Sequence, residues 1–275
     1  MNIIFFGSSK YVIPLLETLK SNFNISLVIT TEKEKYEAVP KYCTTNEISY
    51  ISVDKFDTKT IETIKNQNAA VAILAYFGLI LPQEILSLFP KGIINIHPSL
   101  LPLYRGPTPV QTTLLNGDKQ TGVTIIRLDE EVDHGPILGQ ENEAILPDDT
   151  TDSLHVRLFE KGGQLLQRVL SEYLKGALKP KAQNHEKATY TDHLTRQSGY
   201  IDRSNSPSEE KLQRLIRAYY PWPGVWTKIV LNGKETRMKL LPNQRLQLQD
   251  KRPMSYKDFY NGYPEMKGKL QDLLI

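Results

Sequence analysis

The chain has 275 residues, a formal net charge of +3, 40% hydrophobic residues and one cysteine, Cys43. That apolar share is enough to bury a core and excludes a disordered chain, while a lone cysteine excludes an intrachain disulfide or a Cys-based zinc site. No apolar run approaches the ~18 residues of a membrane span, and the opening run 1–6 is too short for a signal peptide, so the expectation is a soluble, cytoplasmic monomer.

In chain order, Asn2–Gly7 reads as a buried strand ended by a glycine turn. Residues 10–20 have helical spacing, with Val12, Leu15, Leu16 and Leu19 on one face and Pro14 suited only to the first turn. Strands are predicted at 25–30, 70–75, Ile93–His97 and 121–128. Helices are predicted at 58–68, 82–89 and Pro109–Asn116, the last stopped by Gly117. Apolar strands alternating with helices predict an α/β fold, an open and mostly parallel sheet covered on both faces. Residues 151–176 read as one long amphipathic helix. The pattern then changes, which divides the chain into a domain at 1–178, a polar linker at 179–192 and a smaller β-rich domain at 193–275. In the second domain Ser206, Pro207 and Glu209 read as the N-cap, N1 residue and capping-box partner of a helix to about Tyr219. Two runs flanking Asn232-Gly233 read as a hairpin.

The chemistry clusters at one strand end. Asn95 and His97 are two residues apart and so face one side of the strand. They stand at its carboxyl end, where open α/β sheets place ligands, ahead of a loop containing Pro98, Pro102, Pro107 and Pro109. Either residue alone reads as a cap on loop backbone; the pair reads as a site. Downstream, Asp129, Glu130, Glu131, Asp133 and His134 could ligate a metal, but their spacing fits no standard pattern, so no metal is expected. Asp133, before a glycine turn, reads instead as a carboxylate that orients His97. An amide, an imidazole and a carboxylate together suit acyl transfer to an amine. Asn95 can donate to a developing oxyanion, His97 can take the amine's proton, and Asp133 can fix the imidazole.

Charge is uneven. Residues 211–257 hold eleven basic side chains against two acidic ones, Glu235 and Asp250. By itself such a block reads as a solvated surface; beside a nucleic-acid-linked chemistry it reads as a polyanion footprint.

At these residues the sequence resembles the folate-dependent formyltransferases. Asn95-Ile96-His97 followed by Ser99-Leu100-Leu101-Pro102, and Asp133 within Val132-Asp133-His134-Gly135, match that family's catalytic pattern. Within the family it is most similar to the branch whose acceptor is initiator methionyl-tRNA. The matching segments are Ala75-Tyr76-Phe77-Gly78, Tyr104-Arg105-Gly106-Pro107-Thr108-Pro109, Ala188-Thr189-Tyr190, Pro221-Trp222-Pro223-Gly224 and Lys251-Arg252-Pro253-Met254-Ser255. The resemblance implies a Rossmann-like formyltransferase fold with a small OB-like β-barrel that holds tRNA. It implies catalysis by Asn95, His97 and Asp133, and tetrahydrofolate lined by Ser99, Leu100, Leu101 and Pro102, with 10-formyltetrahydrofolate as co-substrate. On that reading Arg105, Arg214, Arg217, Arg237 and Lys239 face tRNA; for Arg105 a structural role on loop carbonyls stands equally open.

Two departures concern the tRNA side. The loop at 31–42 lacks the family's Gly and Arg content and offers Lys33, Lys35 and Lys41. The barrel is shortened internally, since Pro242-Asn243-Gln244 leads almost directly to the final motif, and so is expected not to close. The competing readings are a formyltransferase acting on a nucleotide-linked amino sugar, and a non-catalytic protein that holds tRNA or folate.

Overall fold

Six strands of apolar, largely β-branched residues are joined at one edge by a polar strand, and helices pack on both faces of the sheet. A computed structural model of the chain describes residues 1–34, 37–270 and 273. In chain order the elements are β1 (Asn2–Gly7), α1 (Ile13–Asn22), β2 (Asn24–Thr31), α2 (Ala38–Thr45), β3 (Tyr50–Val53), α3 (Thr58–Lys65) and β4 (Val71–Ala75). Then come α4 (Gln83–Leu86), β5 (Ile93–His97), α5 (Pro109–Asn116), β6 (Gln120–Arg127), β7 (Ile137–Ala144) and α6 (Thr151–Leu174). The remainder is α7 (Glu209–Ala218), β8 (Val225–Leu231), β9 (Lys234–Leu241), β10 (Arg245–Leu248), β11 (Met254–Ser255) and α8 (Tyr256–Gly262).

The chain divides into two compact units. The first is Met1–Pro109 with Gln120–Ala144 and His155–Thr191; the second is Val110–Lys119 with Ile145–Leu154 and Asp192–Ile275. The polar stretch from 179 to 191 therefore clusters with the first unit.

The sheet of the first unit has the order β3-β2-β1-β4-β5-β6-β7. It is parallel from β3 through β5, while β6 runs antiparallel to both β5 and β7. Strand β1 shows how the alternation is used. Ile3 and Phe5 pack with α1 residues Leu15, Leu16 and Leu19 and with Phe159 and Leu166 of α6. Ile4 and Phe6 pack on the opposite face with Phe77, Ile85 and Phe89. The Phe6 ring meets Phe77 edge-on, with centroids 5.4 Å apart. Truncating a fully buried phenylalanine such as Phe6 to alanine costs ~3–5 kcal/mol. Pro14 sits in the first turn of α1, where its missing N–H would have had no helical partner.

The second unit holds four antiparallel strands in the order β11-β10-β9-β8, so β8 and β11 form the two edges of an open sheet. This is the short form of a barrel that the sequence leads one to expect. Met238, Leu240, Leu246 and Leu248 are buried on one face of this sheet. Helix α7 starts two residues later than its sequence suggests. Ser208, not Ser206, is the N-cap and accepts from the Lys211 N–H, so Pro207 precedes the helix and Glu209 is its first residue. Among the described residues no helix is long and apolar enough to cross a membrane.

The 31–42 segment is partly helical. Glu32–Glu34 form a 3-10 turn and α2 begins at Ala38. Lys35 lies outside the described residues.

Candidate active site

On β5, Ile94 and Ile96 point into one core and Ile93 into the other. The period-two alternation therefore puts Asn95 and His97 on the Ile93 side, at the strand's carboxyl end. Both are buried, 6% and 4% exposed. Asp133 reaches them from the loop between β6 and β7, 38 residues on. The Asn95 Nδ2 donates to Asp133 Oδ1 at 3.1 Å, and His97 Nδ1 stands 3.3 Å from the same oxygen. The second carboxylate oxygen accepts from the Gly106 N–H at 2.8 Å. The three residues read from the sequence as catalytic thus meet around one carboxylate.

The opposite ring nitrogen is also occupied. His97 Nε2 lies 2.9 Å from the Tyr104 carbonyl oxygen. A neutral imidazole has one N–H and one lone pair, and here both nitrogens face oxygen acceptors, an arrangement that favours the protonated ring, which can donate to each. Burial works against that charge, but the Asp133 carboxylate, by charge and hydrogen bond, and the Tyr104 carbonyl outweigh it and raise the His97 pKa above its ordinary value. Burial likewise pushes Asp133 up. The charge and hydrogen bond of His97, the Gly106 N–H and the nearby Arg105 charge prevail and hold its carboxyl below the usual range.

Backbone conformation supplies the rest of the geometry. Tyr104 and Asp133 both adopt left-handed φ values, 62° and 50°. At Tyr104 the turn brings the carbonyl onto His97. At Asp133, aspartate is among the residues that tolerate this region best. Gly135 follows because a Cβ there would run into the Arg127 carbonyl.

Ser99, Leu100, Leu101 and Pro102 form the first turn of the loop after β5. Ser99 and Leu101 are buried. Ser99 Oγ donates to the Leu103 carbonyl at 2.6 Å. Thr124 on β6, directly across from His97 in the β5–β6 register, donates to the Ser99 carbonyl at 2.6 Å and accepts from the Leu101 N–H at 3.1 Å. Gln140 donates to Thr124 Oγ1 and to the Leu101 carbonyl. Beside the loop that carries Asp133 lies a cavity of about 470 Å³, lined by Gln83, Leu86, Leu128, Asp129, Glu130 and His134 among others.

Arg105 is 2% exposed, buried rather than presented to solvent as a tRNA contact would be. Its Nη2 donates to Gln183 Oε1 at 2.7 Å and meets His185 Nδ1 at 2.9 Å, and its Nη1 reaches the Tyr190 hydroxyl. The partners of its two terminal nitrogens are side chains of the first unit, not the loop carbonyls expected of a structural arginine, and among the described residues its Nε has no hydrogen-bond partner.

The other cations proposed for tRNA separate in the second unit. Arg214 on α7 is paired with Glu210, and Arg217 donates to the Asp149 carbonyl. Arg237 and Lys239 alternate with buried Met238 and Leu240, so they share the outward face of β9. Among the described residues neither has an ion-pair partner. On that face Trp226 pairs across from Lys239, and Lys228 from Arg237, although Lys228 is also 2.8 Å from Glu235.

Several working groups have no side-chain signature in the sequence. The Tyr104 carbonyl and Gly106 N–H are main-chain atoms. Thr124 reads as one more β-branched strand residue, and Gln183 falls in a stretch that reads as linker. Only the Gly106-Pro107 pair after Arg105, a turn signal, hints that backbone is aimed there.

A family model described as formyl transferase matches residues 1–170. A methionyl-tRNA formyltransferase from Roseiflexus sp. (strain RS-1) is 36% identical over 238 residues, covering 82% of this chain and 73% of that protein. Among solved structures, a sugar N-formyltransferase from Shewanella sp FDAARGOS_354 superposes with a TM-score of 0.69 at 20% identity, covering 88% of this chain and 98% of that one. A methionyl-tRNA formyltransferase from Clostridium thermocellum superposes with a TM-score of 0.61 at 19% identity, covering 90% and 97%. At these identities the two structures share the fold.

Proposed function

We propose a reaction from one premise: the chain belongs to the formyl transferase family. It transfers the formyl group of 10-formyltetrahydrofolate to the α-amine of methionyl-tRNA. The observation that carries the chemistry is the meeting of Asn95, His97 and Asp133 around one buried carboxylate at the end of β5. The choice of acceptor is supported by sequence identity to proteins named for methionyl-tRNA.

The amine nitrogen attacks the formyl carbon, and the carbonyl oxygen takes up negative charge in a tetrahedral intermediate. An amide NH₂ carries two donors. Asp133 takes one from Asn95, and the other serves the oxyanion. The C–N bond to the amine stays, the C–N10 bond of the folate breaks, and the proton lost by the amine ends on N10. His97 is the base that relays it. Because its pKa is raised, His97 must first give up a proton, so the rate climbs with pH on a limb above the ordinary histidine value. The cavity beside the Asp133 loop has the size of a heterocycle site, and its Asp129 and Glu130 carboxylates match the amino and ring N–H donors of a pterin. The open face bearing Arg237 and Lys239 suits phosphates. The protein acts as a monomer in the cytoplasm.

Single-turnover formylation tests this directly. Methionyl-tRNA should be formylated by 10-formyltetrahydrofolate at least ten times faster than a nucleotide-linked amino sugar. The reverse preference would promote the sugar reading that the TM-score of 0.69 keeps in view.

A further inference from the structure

We propose that the strap formed by residues 181–191 is a positioning element of the active site, and that Gln183 is the residue through which it sets Asp133 against His97. The proposal rests on the reaction above for its kinetic readout and on the free protein for its second.

Gln183 is 6% exposed, and both its N–H donors and its oxygen are engaged. The Nε2 donates to the Asp133 carbonyl and to the Gly135 carbonyl, both at 2.8 Å, and the Oε1 accepts from Arg105 Nη2 at 2.7 Å. The two carbonyls flank His134, so one side chain clamps both sides of the turn in which Asp133 holds its left-handed φ. That φ decides where the carboxylate points. The third bond ties the same amide to Arg105, the residue preceding Gly106, whose N–H holds the other end of the Asp133 carboxylate.

The strap also holds His97's second partner. Thr189 Oγ1 accepts from the Tyr104 N–H at 2.8 Å, and the Thr189 carbonyl accepts from the Arg105 N–H at 2.9 Å. The Thr191 N–H returns a bond to the Arg105 carbonyl at 2.8 Å. Upstream, Lys181 and Ile137 exchange backbone bonds at 2.7 and 2.8 Å, which anchors the strap to the β7 edge. One segment thus fixes the Asp133 carboxylate on Nδ1 and the Tyr104 carbonyl on Nε2. A merely structural strap would satisfy buried backbone groups without bearing on the His97 proton, and that difference is measurable.

Gln183→Met keeps length and bulk and removes all three hydrogen bonds. Its single-turnover formylation rate should fall about 10- to 100-fold, the range for small misplacement of a reacting group, with the Kd of each substrate within about 2-fold of wild type. The groups facing His97 are the Asp133 carboxylate, the Arg105 guanidinium and the Tyr104 carbonyl. With Asp133 loosened, the His97 imidazole, followed by NMR in the free protein, should titrate about one pH unit lower. That titration needs no substrate. A wild-type protein that formylates nothing, with His97 still shifted in the variant, overturns the proposed reaction and supports the strap. A wild-type rate with unshifted His97 overturns the strap's role, as does a slowed rate with unshifted His97. If Gln183→Met does not fold, Gln183→Asn decides: one methylene shorter, it should give an intermediate His97 shift, and an unshifted His97 overturns the proposal.

Discussion

The end of β5 and the outward face of β9 present charge in opposite ways. At β5, His97 and Asp133 are buried and each acceptor atom is matched to a donor by a main-chain or side-chain group. At β9, Arg237 and Lys239 stand partly exposed, beside each other and without acidic partners among the described residues. The difference matches the two roles proposed for these regions. A transition state forms in one place and rewards charge fixed in advance in a water-poor site. A phosphate backbone is met by exposed cations whose counterions are released on contact. Arg214 and Arg217 show the boundary between these uses, since protein groups already engage them.

The comparison breaks most sharply at the buried end. His97→Ala and Asp133→Asn should each slow the chemical step at least ~100-fold, and Asn95→Ala should cost ~2.7–4 kcal/mol of transition-state stabilisation, with folate affinity retained in all three. Rapid-quench measurement with saturating substrates checks this; a near-normal rate for His97→Ala would show the buried cluster to be structural. Arg105→Ala comes next. It strips Gln183 and His185 of a partner, so it should lower stability by ~1–3 kcal/mol, read as a drop in Tm. If Arg105 instead contacted an anionic substrate, the loss would appear in affinity with the Tm unchanged.

On the exposed face, reversing Arg237 and Lys239 to glutamate should flatten the salt dependence of tRNA binding by ~0.7–0.9 per contact removed, with formylation of a small amine unchanged. An unaltered slope in a filter-binding titration would move the tRNA footprint elsewhere. The smallest effect is a pH signature of stability. His97 has a raised pKa, so its contribution is complete below its unfolded value of 6.5 and fades as pH rises through the folded one. Asp133 has a lowered pKa, so its contribution is complete above its unfolded value of 3.8 and fades as pH falls through the folded one. The Tm gap between wild type and Asp133→Asn should therefore be widest between those two values and narrow toward alkaline pH.

The pair Asn95 and His97 was legible in the sequence because strand alternation assigns both to one face, and a polar pair at the end of an apolar strand stands out. Of the parallel strands, β1, β2, β4 and β5 were legible from their apolar runs, while the short edge strand β3, exposed at Tyr50, was not. Strand β7 was not, because its exposed residues, Gln140, Glu141 and Glu143 among them, break the apolar pattern of an edge that has one wet side. Helix α7 was legible, but its start was not, since Ser206 and Ser208 offer equally good caps and only the backbone path chooses between them. Arg105 was ambiguous because nothing local to it reveals that Gln183, 78 residues away, accepts from its guanidinium. The same distance hid Gln183.

That distance has a consequence in time. The bonds described for the strap join residues separated by 44 to 86 positions, whereas the adjacent β6–β7 pairing joins residues at most 24 apart. Contacts between remote positions form late when a chain collapses, because the intervening segment must be ordered first. During refolding from denaturant, protection of the β6–β7 amides should therefore recover ahead of the His97 environment. Competence would return only when residues 181–191 have closed over strands that are already paired.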